Sequence, residues 1–218
     1  LYLLAGLYKP RRGTITIDGQ QITRPRPKTG LVLQDHGLLP WATVWENTYL
    51  GLKIRGFYGP DGRHAPLNEP VDTPAARSQV SRWLKRLKID HLKDKYPAQI
   101  SGGQRQRTAI CRTLALEPDL LLLDEPFSAL DAPTREDLER LIVDLNTESG
   151  LTTLIVTHNI EEAVIMGRQI LVLNTGVNKD PAVFNNAYAT AAHQDQAAFR
   201  SQCTQLRKLL GDLDEPPA

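Results

Sequence analysis

The chain has 218 residues, 41% hydrophobic and 23% charged, an ordinary globular composition with enough apolar side chains for one domain, or one domain with a subdomain. Twenty-six lysines and arginines face 25 acids, so the chain as a whole has no charge that would draw a polyanion. No apolar run approaches the roughly 18 residues of a membrane-spanning helix, and two cysteines far apart, Cys111 and Cys203, exclude a disulfide scaffold and fit a reducing cytosol.

The chain opens on LYLLAGLYKP, with no Met before it. Leu1, Leu3, Leu4 and Leu7 read as the apolar side of a helix already under way, stopping around Gly6, as in a chain cut inside a helix. GTITIDGQQI alternates and turns at Asp18-Gly19, which predicts a β-hairpin. GLVLQ predicts a short buried strand ending at Gln34. Thr43 and Glu46 form a capping box that opens a helix. The Gly- and Pro-punctuated stretch from Arg55 to Thr73 reads as an inserted loop.

Thr73-Pro74 opens a helix with Val80, Trp83, Leu84 and Leu87 on one face and Arg82, Lys85, Arg86 and Lys88 on the other, a solvated basic face. After YPAQISGGQ a helix runs to about Ala115, followed by the strand Leu120–Leu123. Asp131 precedes a helix whose apolar face is Leu138, Leu141, Ile142 and Leu145 and which ends at Gly150. TTLIVT predicts a buried strand delivering His158. Asn159 and Glu162 cap the next helix, and QILVL reads as the last strand. Strand and helix alternate from 119 to 173, which implies a parallel sheet with covering helices. Beyond it, a helix from 182 to 210 carries Phe199, Cys203, Leu206 and Leu210 as one stripe.

In open parallel α/β sheets, ligands bind beyond the carboxyl ends of the strands. Gln34, Asp124-Glu125 and His158 each follow an apolar strand, so all three are expected at one edge. Neighbours on a strand point to opposite faces, so Asp124 and Glu125 should do different jobs. One carboxylate can hold Mg²⁺, which keeps waters and takes oxygen ligands. The other can take the proton of an attacking water. In ISGGQRQR, a hydroxyl, bare amides, a Gln and a helix N-terminus suit a phosphate, although a plain helix cap explains SGG alone equally well.

Gln34 after a strand, SGGQ at 101–104, LLLLDE at 120–125, SALD at 128–131 and His158 after a strand resemble, in this order, the Q-loop, signature, Walker B, D-loop and switch histidine of ATP-binding cassette (ABC) ATPases. The resemblance spans residues 1 to about 175. It implies an α/β fold of P-loop NTPase type, with an inserted helical subdomain and part of an antiparallel β subdomain. The expected organisation is 1–34 for the remainder of the nucleotide-binding core and the β subdomain, and 35–115 for the Q-loop and helical subdomain. Residues 116–175 would be core with Walker B, D-loop and switch histidine, and 176–218 a C-terminal extension.

The resemblance also implies ATP and Mg²⁺ as cofactors. Glu125 and His158 are then the catalytic residues, Glu125 polarising water and His158 contacting the γ-phosphate. Asp124 orients the metal, and Gln34 senses it and the phosphate. Ser101, Gly102, Gly103, Gln104 and Asp131 close on ATP held by a second cassette. The family's phosphate cradle, GxxxxGK[ST], occurs nowhere in these 218 residues, so the chain as given is expected to be an incomplete, inactive enzyme.

QDHGLLPWATVWEN and DEPFSALD are most similar to importer ATPases of the nitrate, sulfonate, taurine and bicarbonate group. That implies a cassette homodimer at the cytoplasmic face of a membrane, beneath transmembrane permease subunits and indirectly served by a periplasmic or surface solute-binding protein, with no nucleic acid. Trp41 and Trp45 are candidate permease contacts or, equally, core residues. Cys111 stands where the family commonly has Ala and reads as a small buried hydrophobe, and FYGPDGRHAPLNEP departs as an insertion. Two other classes stay open: a soluble ABC ATPase acting on nucleic acid or ribosomes, for which the basic face at 82–88 is the one hint, and a non-catalytic cassette fragment.

Overall fold

A computed structural model describes residues 1–58, 73–128, 130–173, 181–186 and 196–214. Two compact units are present, Leu1–Val156 and Thr157–Ala218.

The first unit is organised by a three-stranded parallel sheet in the order β3-β4-β5, with β3 at Thr29–Val32, β4 at Leu120–Asp124 and β5 at Thr152–Val156. The four leucines of β4 explain its central place. Leu121, Leu122 and Leu123 are fully buried, each contributing about 2 kcal/mol of apolar burial, which only a strand covered on both faces provides. Pairing of Val32 with Leu123 and of Asp124 with Val156 brings the carboxyl ends of the three strands side by side.

Ahead of the sheet, β1 (Thr16–Ile17) and β2 (Gln20–Gln21) form the expected hairpin. Asp18 and Gly19 both have positive φ, the type I′ geometry that suits strand twist. Arg26 ties this region to the sheet, gripping both carboxylate oxygens of Asp119 and reaching Asp18 at 3.1 Å. Residues 1–8 form one helical turn closed at Gly6, with Leu7 N–H donating to the Tyr2 carbonyl and Gly6 N–H to the Leu3 carbonyl. Its expected apolar stripe is not buried: Leu3 and Leu7 are exposed, and Ala5 is the residue that packs inside.

Three helices pack pairwise between β3 and β4 in sequence: α1 (Val44–Tyr58), α2 (Pro74–Arg86) and α3 (Gly102–Leu114). Their starts follow the sequence chemistry, with the Thr43–Glu46 box at 2.7 and 3.2 Å and Thr73 capping Ala76 at 3.1 Å. Helix α1 extends through 55–58, where a loop is expected; the rest of the expected insertion lies outside the described residues. Val80, Leu84 and Leu87 are buried as their spacing predicts. The basic face opposite them is partly paired rather than merely solvated. Arg82 meets Glu117, Arg86 meets Glu148 and Lys88 meets Asp137. Helix α4 (Ala132–Ser149), capped by Asp131 and closed by left-handed Gly150, supplies two of those acids.

β5 departs from its expected burial. It pairs only with β4 among the described residues, and Leu154 and Val156 are 38% and 42% exposed. Its apolar composition suits a covered strand, but it stands at an edge.

The second unit contains α5 (Ile160–Met166), β6 (Gln169–Val172), β7 (Ala182–Asn185) and α6 (Gln196–Asp214). QILV is expected in the parallel sheet as its last strand; it pairs antiparallel with β7 instead. β7 also stands where the sequence pattern places the start of a helix; the described helix is Gln196–Asp214. The predicted stripe is used inward: Cys203 and Leu206 form a small core with Val164 and Val172, and Phe199 and Leu210 pack against it.

Candidate nucleotide site

The carboxyl edge of β3 and β4 brings two of the predicted residues into direct contact. Gln34, two residues past β3, donates from Nε2 to Glu125 Oε2 at 3.1 Å. β4 ends at Asp124, so Glu125 parts from its neighbour by a turn rather than by strand alternation. Its φ is +43°, a left-handed backbone that costs a non-glycine about 1–2 kcal/mol. The turn is held on both sides. Glu125 N–H donates to the Val156 carbonyl at 2.9 Å, and the Ser128 hydroxyl donates to the Glu125 carbonyl at 3.1 Å.

Asp124 lines a hollow of about 370 Å³ together with Gln34, Asp35, Leu33 and Tyr2. Gln34 donates to Glu125 from Nε2, and its Oε1, the acceptor of the amide, is the atom able to meet a cation. One carboxylate and one amide oxygen are a fitting partial set for Mg²⁺, which completes its shell with water and substrate oxygens. No cluster of three or more His, Cys, Asp or Glu suited to a metal occurs among the described residues, so these residues offer no all-protein cage.

The signature residues sit at the start of α3. Ser101 Oγ accepts from Gln104 N–H at 3.3 Å while Gln104 Oε1 accepts from Ser101 N–H at 2.9 Å, a complete capping box. Gly103 has a packing reason to be glycine: a Cβ there would lie 2.6 Å from Thr134 Cγ2 of α4. Gly102 is half-buried and Ser101 exposed. Asp131 caps the adjoining helix α4, and the hydrogen bond from Thr134 holds its carboxyl below the usual range. Ser101, Gly103 and Asp131 therefore gather at two touching helix starts. His158, in the second unit, is exposed and lines a hollow of about 380 Å³ with Asn159, Ile160, Glu161 and Arg207.

Two residues outside the predicted set shape the loop after Gln34. Asn47 is fully buried, accepts from Leu39 N–H at 2.8 Å, and reaches the carbonyls of Leu39, Ala42 and Thr43 at 3.1, 2.9 and 3.0 Å. Arg112 of α3 donates to the carbonyls of His36 and Gly37 at 2.9 and 2.6 Å. Neither carries a mark in the sequence pattern, because each acts on backbone outside its own element. Trp41, open between contact and core on sequence, is 73% exposed, while Trp45 is half-buried and stacked on Tyr49. Cys111 is fully buried, and burial pushes its thiol up to about 12, in keeping with a small hydrophobe.

The ABC transporter family model matches residues 1–128, more than half of the chain. The chain belongs to the ABC transporter family. The cassette is 39% identical to the taurine import ATP-binding protein TauB of Pseudomonas aeruginosa, over 99% of this chain and 77% of that protein. It is 34% identical to the aliphatic sulfonates import ATP-binding protein SsuB of Bacillus cereus, over 92% and 73%. A nitrate import ATP-binding protein, NrtD of Synechocystis, is 38% identical over 80% and 60%. Among solved structures, the cassette resembles the dimeric ATP-binding cassette MJ0796 bound to ADP and Pi, with a TM-score of 0.66 and 31% identity over 78% of this chain and 72% of that one. It also resembles cbiO1 of Clostridium perfringens, part of a cbiONQ transporter complex, with a TM-score of 0.70 and 26% identity over 98% and 81%. The α/β fold is that of the P-loop NTPase cassettes, and the importer group is the one its LLPW and DEPFSALD stretches resemble.

Proposed function

We propose that the cassette is the ATP-hydrolysing subunit of an importer for small oxyanionic solutes, working as a homodimer under transmembrane permease subunits at the cytoplasmic face of a membrane. The observation that carries it is the Gln34–Glu125 hydrogen bond beside Asp124 at the carboxyl edge of the sheet. In this reading Asp124 and the Gln34 oxygen hold Mg²⁺, which offsets charge on the β- and γ-phosphate oxygens of ATP. Glu125 accepts the proton of the attacking water, and Gln34 keeps that carboxylate in place. His158 meets the γ-phosphate, while Ser101 to Gln104 and Asp131 face ATP held by the other copy, so each copy supplies half of two sites. The names of the import relatives and the dimeric solved cassette support the assembly.

Residues 1–218 contain no GxxxxGK[ST], so a P-loop segment is required for tight binding of the phosphates. The 218-residue chain alone is expected to bind Mg·ATP poorly and to show no turnover; saturable binding followed by hydrolysis would sink that expectation. Exposed Trp41 and the loop around it are the surface offered to a permease subunit. The solute-binding protein acts through that permease. Pairing of Arg82, Arg86 and Lys88 with acids leaves less of the basic face for nucleic acid, which favours the transport reading.

The test is Glu125→Gln in a subunit carrying its P-loop. Hydrolysis should fall by about 10²–10⁴-fold while an ATP-bound dimer accumulates on gel filtration. Near-normal turnover would return Glu125 to a structural role.

A further inference from the structure

The loop that carries Gln34 is tied to α3 by an arrangement no sequence motif assigns. His36 and Gly37 follow Gln34 with two successive left-handed residues, φ +67° and +56°. This conformation turns both carbonyls toward α3, where half-buried Arg112 donates guanidinium N–H groups to each. A planar guanidinium holding two neighbouring carbonyls fixes direction as well as distance. The His36 imidazole is half-buried near the backbone of Gly102 and the Arg105 guanidinium, at the amino end of the same helix. Its Nδ1 is buried without a hydrogen-bond partner among the described residues. Burial and Arg105 lower its pKa, which disfavours the charged ring there. One rigid helix thus touches the loop at both ends, and its amino end carries Ser101 to Gln104.

We propose that Arg112, with His36 seated toward the start of α3, is the positioning residue that makes the place of Gln34, and so of the Gln34–Glu125 pair, a property of α3. Displacement of the signature end of α3 then moves the amide that orients the catalytic carboxylate. The proposal rests on the hydrolysis reading above for its consequence, but the clamp itself is a matter of backbone geometry.

The test has two arms. In the 218-residue chain, Arg112→Gln should speed hydrogen exchange of the amides at 36–38 by about tenfold while the melt stays cooperative. Arg112→Lys, which keeps the charge but not the fork, should fall between and serves if the Gln variant folds poorly. Unchanged exchange in both variants overturns the clamp. In a subunit with its P-loop, Arg112→Gln should lower kcat roughly 10- to 100-fold with KM for ATP changed less than about twofold. Combined with Gln34→Ala it should add nothing, since both act on one amide. Additive losses, or a rise in KM alone, overturn the positioning role. An inert wild type overturns the hydrolysis reading and this role with it, and the exchange arm still decides whether the clamp exists.

Discussion

The loop from Gln34 to Thr43 and the turn from Ser101 to Gln104 carry polar residues of the same kinds, yet they are held in opposite ways. The turn makes its own hydrogen bonds: Ser101 and Gln104 satisfy each other across three residues. The loop is held from outside. Its geometry comes from Arg112, 75 residues away from Gly37, and from Asn47 on the following helix. The difference teaches where each region can yield. A capping box can be opened by a ligand that replaces its two hydrogen bonds. If the proposed clamp holds, the loop should move with the helices that grip it and pass displacement on.

Breaking the remote hold should cost most. Asn47→Ala removes a fully buried amide that satisfies one N–H and three carbonyls, and about 3 kcal/mol of stability is expected to go with it. Urea unfolding of the 218-residue chain measures this; a loss under about 1 kcal/mol would mean that water replaces the amide and that the contrast between the regions is overstated.

Breaking the local hold should cost less. Ser101→Ala is expected to lose about 1 kcal/mol as an N-cap, and Ser101→Asp should recover most of that because it caps as well. In a subunit with its P-loop the two should separate, with Asp restoring the melt but repelling phosphate and keeping hydrolysis low. Recovery of both by Asp would leave Ser101 a cap and nothing more.

The interior of α3 sharpens the contrast further, with the smallest effect. Asp137 of α4 accepts from buried Arg107 at 2.5 Å and from Lys88 at 3.0 Å, and these two cations hold its carboxyl below the usual range. A depressed pKa stabilises the fold fully above the unfolded value near 3.9, and this contribution fades as pH falls through the lower folded value. Between about pH 5 and about pH 3 the melting temperature of the wild type should therefore fall more steeply than that of Asp137→Asn. Parallel slopes would remove the pair from the stability of the fold.

What is legible in the sequence follows the same division. Thr43, Thr73, Ser101, Asp131 and Asn159 all cap the helices they precede, because capping is chemistry within four residues. The four leucines of β4 announce a doubly covered strand. The Gln34–Glu125 contact is foreseeable only as a shared sheet edge, since strand order brings residues 91 apart together without any local mark. β6 and β7 depart from expectation for a related reason: apolar alternation signals a strand but does not name its partner. α6 packs inward on α5 and β6, with Cys203 and Leu206 of its predicted stripe in the second unit's core. Arg112 and Asn47 carry no sequence signal because Arg and Asn on helices are ordinarily surface residues.

The edge position of β5 reaches beyond catalysis, to the handling of the chain in solution. Among the described residues β5 is an edge strand, and with Leu154 and Val156 exposed it is a template for a strand from another molecule. A net charge of +1 provides almost no colloidal repulsion to keep such molecules apart. Precipitation of the 218-residue chain should therefore begin along this one ribbon, and Leu154→Lys, which sets a charge on its outer face, is the change that would blunt it.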